Sequence, residues 1–173
     1  MKKAYIPNAF TFINLSLGIF SILSTMESNY ALAGIFIILA GLVDRYDGRI
    51  ARFLNASSEL GKELDSLADL VSFGVAPSIL SFVLFNFKEV GPTSLIGFTV
   101  LITFPICGAF RLARYNVSTF DGMFAGVPIT IAGCFMALFV LLTLNINLSA
   151  VIPMLLMIVF SYLMVSNLKL KKF

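Results

Sequence analysis

The chain has 173 residues, 59% of them hydrophobic, a mean hydropathy of +0.98 and a formal net charge of +3. A soluble domain of this size has too little interior to cover so many apolar side chains, so composition points to one integral membrane domain over 1–173. Histidine is absent, which excludes His-based general-base, nucleophilic and metal-ligand schemes.

Lys2 and Lys3 lead into Pro7, Asn8 and Asn14 rather than a short apolar run with a small-residue cleavage site, so the first hydrophobic segment is expected to stay as a helix. Pro7-Asn8 reads as a helix start. A spanning helix needs about 20 mainly apolar residues. Six segments qualify: 8–25, 30–54, 60–85, 94–115, 127–144 and 149–168. Turn-type residues separate them at Glu27-Ser28-Asn29, Asn55-Ala56-Ser57-Ser58, Gly91-Pro92, Asp121-Gly122 and Asn145-Ile146-Asn147. The expected fold is therefore all-α, an integral membrane bundle of six transmembrane helices. Cys107 and Cys134 lie in separate apolar runs and read as small packing residues. Gly34, Gly41 and Gly108 permit close helix approach, within or between chains.

Basic residues orient the bundle. With the N-terminus inside, Lys2, Lys3, Arg45, Arg49, Arg52, Lys62, Arg111, Arg114, Lys169, Lys171 and Lys172 all fall on the cytoplasmic side, and Lys88 alone falls outside. Both termini are then cytoplasmic. The uncharged part of the second segment, 30–43, is 14 residues, or about 21 Å of helix. That is roughly 9 Å short of a hydrocarbon core. Asp44 and Asp47 are thus expected near the headgroup level, in a cavity lined by protein or water.

A carboxylate at the bilayer centre costs about 2.5–3.5 kcal/mol, so a cluster at the ends of apolar helices needs a compensating reason. Asp44 and Asp47 are spaced i, i+3 and share a helix face, followed by the small residues Gly48 and Ala51. On the third segment Gly61, Asp65 and Asp69 recur at i, i+4, i+8, with Ser72 and Ala76 continuing near that stripe. Two helices joined by a short loop can present two carboxylates each to one cleft. Oxygen ligands suit hard Mg²⁺ or Mn²⁺, and four carboxylates suit two ions. A solvated set of Asp–Arg pairs with Arg45, Arg49 and Arg52 would leave the open small-residue face unexplained. Arg52 and Lys62 offer charge to a phosphate.

The run Asp44-x2-Asp47-Gly48-x2-Ala51-Arg52-x8-Gly61-x3-Asp65-x3-Asp69 resembles, at every fixed position, the signature of the CDP-alcohol phosphotransferase family. The resemblance implies transfer of a phosphatidyl group from a CDP-linked lipid to an alcohol, with release of CMP and a divalent metal requirement. It implies that Asp44, Asp47, Asp65 and Asp69 bind two metal ions, Mg²⁺ or Mn²⁺, and that Asp69 is also the general base. It places Gly48, Arg52 and Ser58 on the CDP moiety, with Pro7, Asn8 and Thr11 nearby. Ala51, Gly61 and Lys62 complete the expected CDP-lipid set. Three further stretches, 64–77, 110–116 and 124–128, are similar to the phosphatidylserine-forming branch. They imply L-serine as acceptor, with Arg111, Arg114 and Asn116 as its contacts. The resemblance also implies a homodimer; the basic-residue distribution places the active site on the cytoplasmic face of the cell membrane, and no nucleic-acid partner is expected.

Three rival readings stand beside this one, of which a purely structural membrane subunit leaves the aspartates unexplained. Another acceptor, glycerol 3-phosphate or inositol phosphate, would favour a denser basic cluster than this chain carries. A divalent-cation transporter would favour acidic groups on both sides of the membrane, whereas the outer loops hold only Glu27, Lys88 and Glu89.

Overall fold

In the computed structural model the described residues are 5–53, 58–91, 93–117, 124–166 and 169–170, with side chains described for 8–46, 58–91, 93–117 and 126–166. Helix α1 (Tyr5–Met26) turns at Ser28, which adopts φ 61°, and returns as α2 (Tyr30–Phe53). Asn29 starts α2: its Oδ1 accepts from the Leu32 amide at 3.3 Å. Among the described residues these two helices make the most extensive pairing.

The third rod is one continuous helix with an irregular centre. It comprises α3 (Glu59–Asp69), a π-helical stretch (Leu70–Val75) and α4 (Ala76–Leu84). Proline explains the irregularity. Pro77 has no amide hydrogen and its ring crowds the carbonyl four residues back, that of Phe73. The ladder widens instead, and the Ala76 amide reaches the Val71 carbonyl. The rod stops at Leu84, because Asn86 is left-handed at φ 50°. A short 3₁₀ turn (Phe87–Glu89) follows, so the chain leaves the helix ahead of the expected Gly91-Pro92 turn.

Helices α5 (Leu95–Val117), α6 (Ile129–Thr143) and α7 (Val151–Val165) complete the bundle. Two-residue strands β1 (Phe124–Ala125) and β2 (Lys169–Leu170) pair antiparallel, Phe124 opposite Leu170. Among the described residues, then, six helical rods stand where six segments were expected. Three of them, Asn8–Met26, Glu59–Leu84 and Leu95–Val117, are long and apolar enough to cross a membrane. Helices α6 and α7 are also apolar but have 15 residues each, about 22 Å of rise.

Phe73, Phe104, Ile37, Leu80, Met136 and Met157 are fully buried and form the centre of the core. The outer surface is apolar as well: Phe12, Phe20, Ile106, Ile131 and Leu155 are each about half exposed or more. Exposed apolar side chains spread over α1, α5, α6 and α7 suit lipid, not water. The small residues are used inside the chain. A Cβ on Gly41 would lie 2.6 Å from the Cys134 sulfur, one on Gly34 would meet Leu141, and one on Gly108 would strike Ile129. At Gly133 it would lie 2.5 Å from the Phe73 carbonyl oxygen, so α6 rests directly on the π-helical stretch. Cys107 and Cys134 are free thiols on different helices, in keeping with a packing role.

Candidate active site

Asp44 in the second half of α2 meets Asp65 and Asp69 from α3. One carboxylate oxygen from each lies within 4.8 Å of the others. Asp69 is buried at 7% exposure, and Asp44 and Asp65 are half-buried. This is the convergence that the i, i+4 spacing on one helix and the preceding helix end were expected to give. Asp47 sits one turn beyond Asp44 on α2, but its side chain lies outside the described residues, as do those of Gly48, Ala51, Arg52 and Pro7.

At separations near 4.8 Å, two carboxylates repel by about 3 kcal/mol at an effective dielectric of ~20. Three such groups packed together need positive charge. Part of it comes from Arg111 on α5, which is 8% exposed and attracts Asp69 electrostatically. The Arg111 Nε is buried with no hydrogen-bond partner among the described residues. The donor set is all oxygen, with one carboxylate oxygen from each acid within 4.8 Å of the others. The residues therefore fit a hard divalent cation.

Helix α1 closes the other side with a residue that sequence reasoning did not single out. The Asn14 side-chain amide donates to Asp69 Oδ1 at 3.0 Å, and the Ser72 hydroxyl donates to the Asn14 carbonyl at 2.9 Å. Ser72 had been placed on the aspartate stripe; Asn14 had entered only as a polar residue in the first segment. Nothing in its local spacing tied it to Asp69, 55 positions away.

The residues expected on the nucleotide side gather at the start of α3. Ser58 caps that helix, its Oγ accepting from the Gly61 amide at 3.0 Å. A Cβ on Gly61 would lie 3.0 Å from Ser58 Oγ and 3.3 Å from Asn8 Oδ1. Asn8, Ser58 and Gly61 thus form one small, polar, close-set corner. Thr11, one turn further along α1, is buried at 4% exposure.

The expected acceptor contacts divide. Arg111 faces the acids, whereas Arg114 turns to the end of α7. Its Nη1 donates to the Val165 carbonyl at 3.0 Å and its Nη2 to those of Met164 and Ser166 at 3.4 Å. A cation among the last carbonyls of a helix is a favourable cap. Asn116 bridges α5 to α3: its Nδ2 donates to Ser66 Oγ at 3.0 Å and to Glu63 Oε1 at 3.1 Å. Lys62 donates to the Asn116 carbonyl at 3.3 Å and lies over the Tyr115 ring at 5.2 Å. Lys62, grouped with the CDP-lipid residues on sequence grounds, is held in this structure by the end of α5.

Fold and site together define a helical membrane enzyme with an all-carboxylate cluster where its apolar helices end. Residues 4–165 match the family described as CDP-alcohol phosphatidyltransferase, and the chain belongs to that family. It is 39% identical over 173 residues to the CDP-diacylglycerol–serine O-phosphatidyltransferase of Bacillus subtilis, covering 98% of this chain and 91% of that protein. Enzymes of the same name are 40% identical over 141 residues in Helicobacter pylori and 41% identical over 125 residues in Saccharomyces cerevisiae. Those alignments cover 79% and 68% of this chain but only 57% and 43% of the longer relatives. Family membership bears out the resemblance carried by the aspartate run and sets aside the transporter reading.

Proposed function

We propose that this chain makes phosphatidylserine, transferring the phosphatidyl group of a CDP-linked lipid to the hydroxyl of L-serine and releasing CMP. The observation that carries it is the meeting of Asp44, Asp65 and Asp69 beside a buried Arg111 whose Nε is unpartnered among the described residues. The names and identities of the relatives support serine as the acceptor.

Asp44, Asp65 and Asp69, with Asp47, would hold two Mg²⁺ or Mn²⁺ ions, which when bound supply charge neutralisation at the diphosphate and at the departing CMP. The chain's own residues do the rest. Asp69 accepts the serine hydroxyl proton as the oxygen–phosphorus bond forms and the bond from phosphorus to the CMP oxygen breaks. Arg111 receives the serine carboxylate, because a guanidinium fork matches it. Arg114 and Asn116 hold α5 against α7 and α3 around that group. Asn8, Thr11, Ser58 and Gly61, with Pro7, Gly48, Ala51, Arg52 and Lys62, shape the CDP side. The molecule forms one domain with six spans, both termini and the site on the cytoplasmic face, and it works as a homodimer.

The test is CMP release in detergent from CDP-diacylglycerol, with L-serine, glycerol 3-phosphate and inositol phosphate as competing acceptors. Release that depends on serine is expected. Equal or faster release with either phosphate-bearing acceptor would overturn the assignment of serine.

A further inference from the structure

Asn14 lies on α1, outside the aspartate run, yet it makes a direct side-chain hydrogen bond to the most buried acid of the cluster. Its side chain is 1% exposed, and its Nδ2 donates to Asp69 Oδ1 at 3.0 Å. Its own Oδ1 is buried and accepts nothing among the described residues. A buried amide with an unanswered acceptor weakens a fold relative to an apolar side chain of similar shape. Packing therefore gives no reason for an amide here. The bond to Asp69 does.

That bond is held from behind. Ser72 Oγ donates to the Asn14 carbonyl at 2.9 Å, across from the π-helical stretch onto α1. A Cβ at Gly18 would lie 2.5 Å from Ser72 Oγ and 2.9 Å from Ser72 Cα, so only glycine lets the two backbones come this close. The π-helical stretch begins at the residue after Asp69. Such irregular turns occur often at functional sites. Gly18, Ser72 and Asn14 thus form one chain of contacts that ends on Asp69.

On the serine-transfer reading, we infer that Asn14 is a positioning residue: its amide ties down one oxygen of Asp69 and so fixes the carboxylate plane, leaving the second oxygen for the cation and for the proton. Partners of this kind set ligand orientation, and their removal typically weakens metal affinity or activity by about 10–100-fold.

The test uses Asn14→Leu and Asn14→Ala in the full chain, purified in detergent. Mn²⁺ affinity is read by electron paramagnetic resonance without substrate, and kcat and the CDP-diacylglycerol KM by CMP release. Both variants are expected to unfold within a few degrees of wild type. Both should bind Mn²⁺ about 10–100-fold more weakly, with kcat reduced at least as much and the CDP-diacylglycerol KM within about threefold. Mn²⁺ affinity and kcat within threefold of wild type in either folded variant would overturn the inference. So would failure of both variants to fold, which would make Asn14 a residue of the scaffold. The acceptor preference of wild type tests the serine reading separately: if it fails while Mn²⁺ affinity still falls in the variants, the role of Asn14 stands without it.

Discussion

Replacing Asp69 by asparagine removes one charge while keeping the shape of the side chain and a carbonyl oxygen for Asn14 Nδ2 to donate to. Each carboxylate pair in the cluster, with oxygens within 4.8 Å, repels by about 3 kcal/mol at an effective dielectric of ~20. Two such pairs disappear, those of Asp69 with Asp44 and with Asp65. Against this stand the lost attraction to Arg111, a hydrogen bond weaker by about 1 kcal/mol, and solvent screening at the half-buried Asp44 and Asp65. The balance predicts a metal-free protein that is more stable than wild type by about 1–2 kcal/mol. For a chain of this length that is a rise of roughly 2–8 °C in unfolding temperature, measured in detergent with a chelator present. Turnover should nevertheless fall by at least ~100-fold, the usual minimum for losing a general base. A variant that melts below wild type in chelator would show that the three acids do not repel one another as placed. Turnover within tenfold of wild type would remove Asp69 as the base.

The two arginines of α5 should separate. Arg111→Ala is expected to raise the serine KM by about tenfold or more, in line with ~1.5–3 kcal/mol for a charge-assisted hydrogen bond, while the CDP-lipid KM stays within threefold. Arg114→Ala should lower the unfolding temperature by loosening the end of α7, with the serine KM unchanged; identical kinetic profiles for the two variants would contradict this division. Gly61→Ala forces a methyl to 3.0 Å from Ser58 Oγ and 3.3 Å from Asn8 Oδ1. It should raise the CDP-lipid KM and spare the serine KM, a split that steady-state kinetics in both substrates would expose if it were absent.

The parts of the site legible in the sequence are those set by short-range spacing. Asp65 and Asp69 had to share a face because they are four apart on a helix, and Asp44 had to meet them because a short loop joins the two rods. The six rods followed from apolar runs and turn residues. Contacts between distant segments were not legible. Asn14 reaches Asp69 only because Gly18 lets α1 settle on Ser72, and no local pattern encodes that approach. The π-helical stretch had a signal, Pro77 four residues after Phe73, but a proline inside an apolar run is compatible with a kink, a break or a widened turn. Arg114 looked equivalent to Arg111 at i, i+3. What separates them is the end of α7, which only the tertiary fold brings beside Arg114.

The central claim is that acids from neighbouring helices hold divalent cations where the activated lipid presents its diphosphate. Counting Mn²⁺ bound by the purified chain with CDP-diacylglycerol present tests it most directly. Two ions per chain are predicted for wild type, with binding lost in an Asp44→Asn, Asp65→Asn double variant. No bound Mn²⁺ in wild type, or undiminished binding in the double variant, would contradict the account.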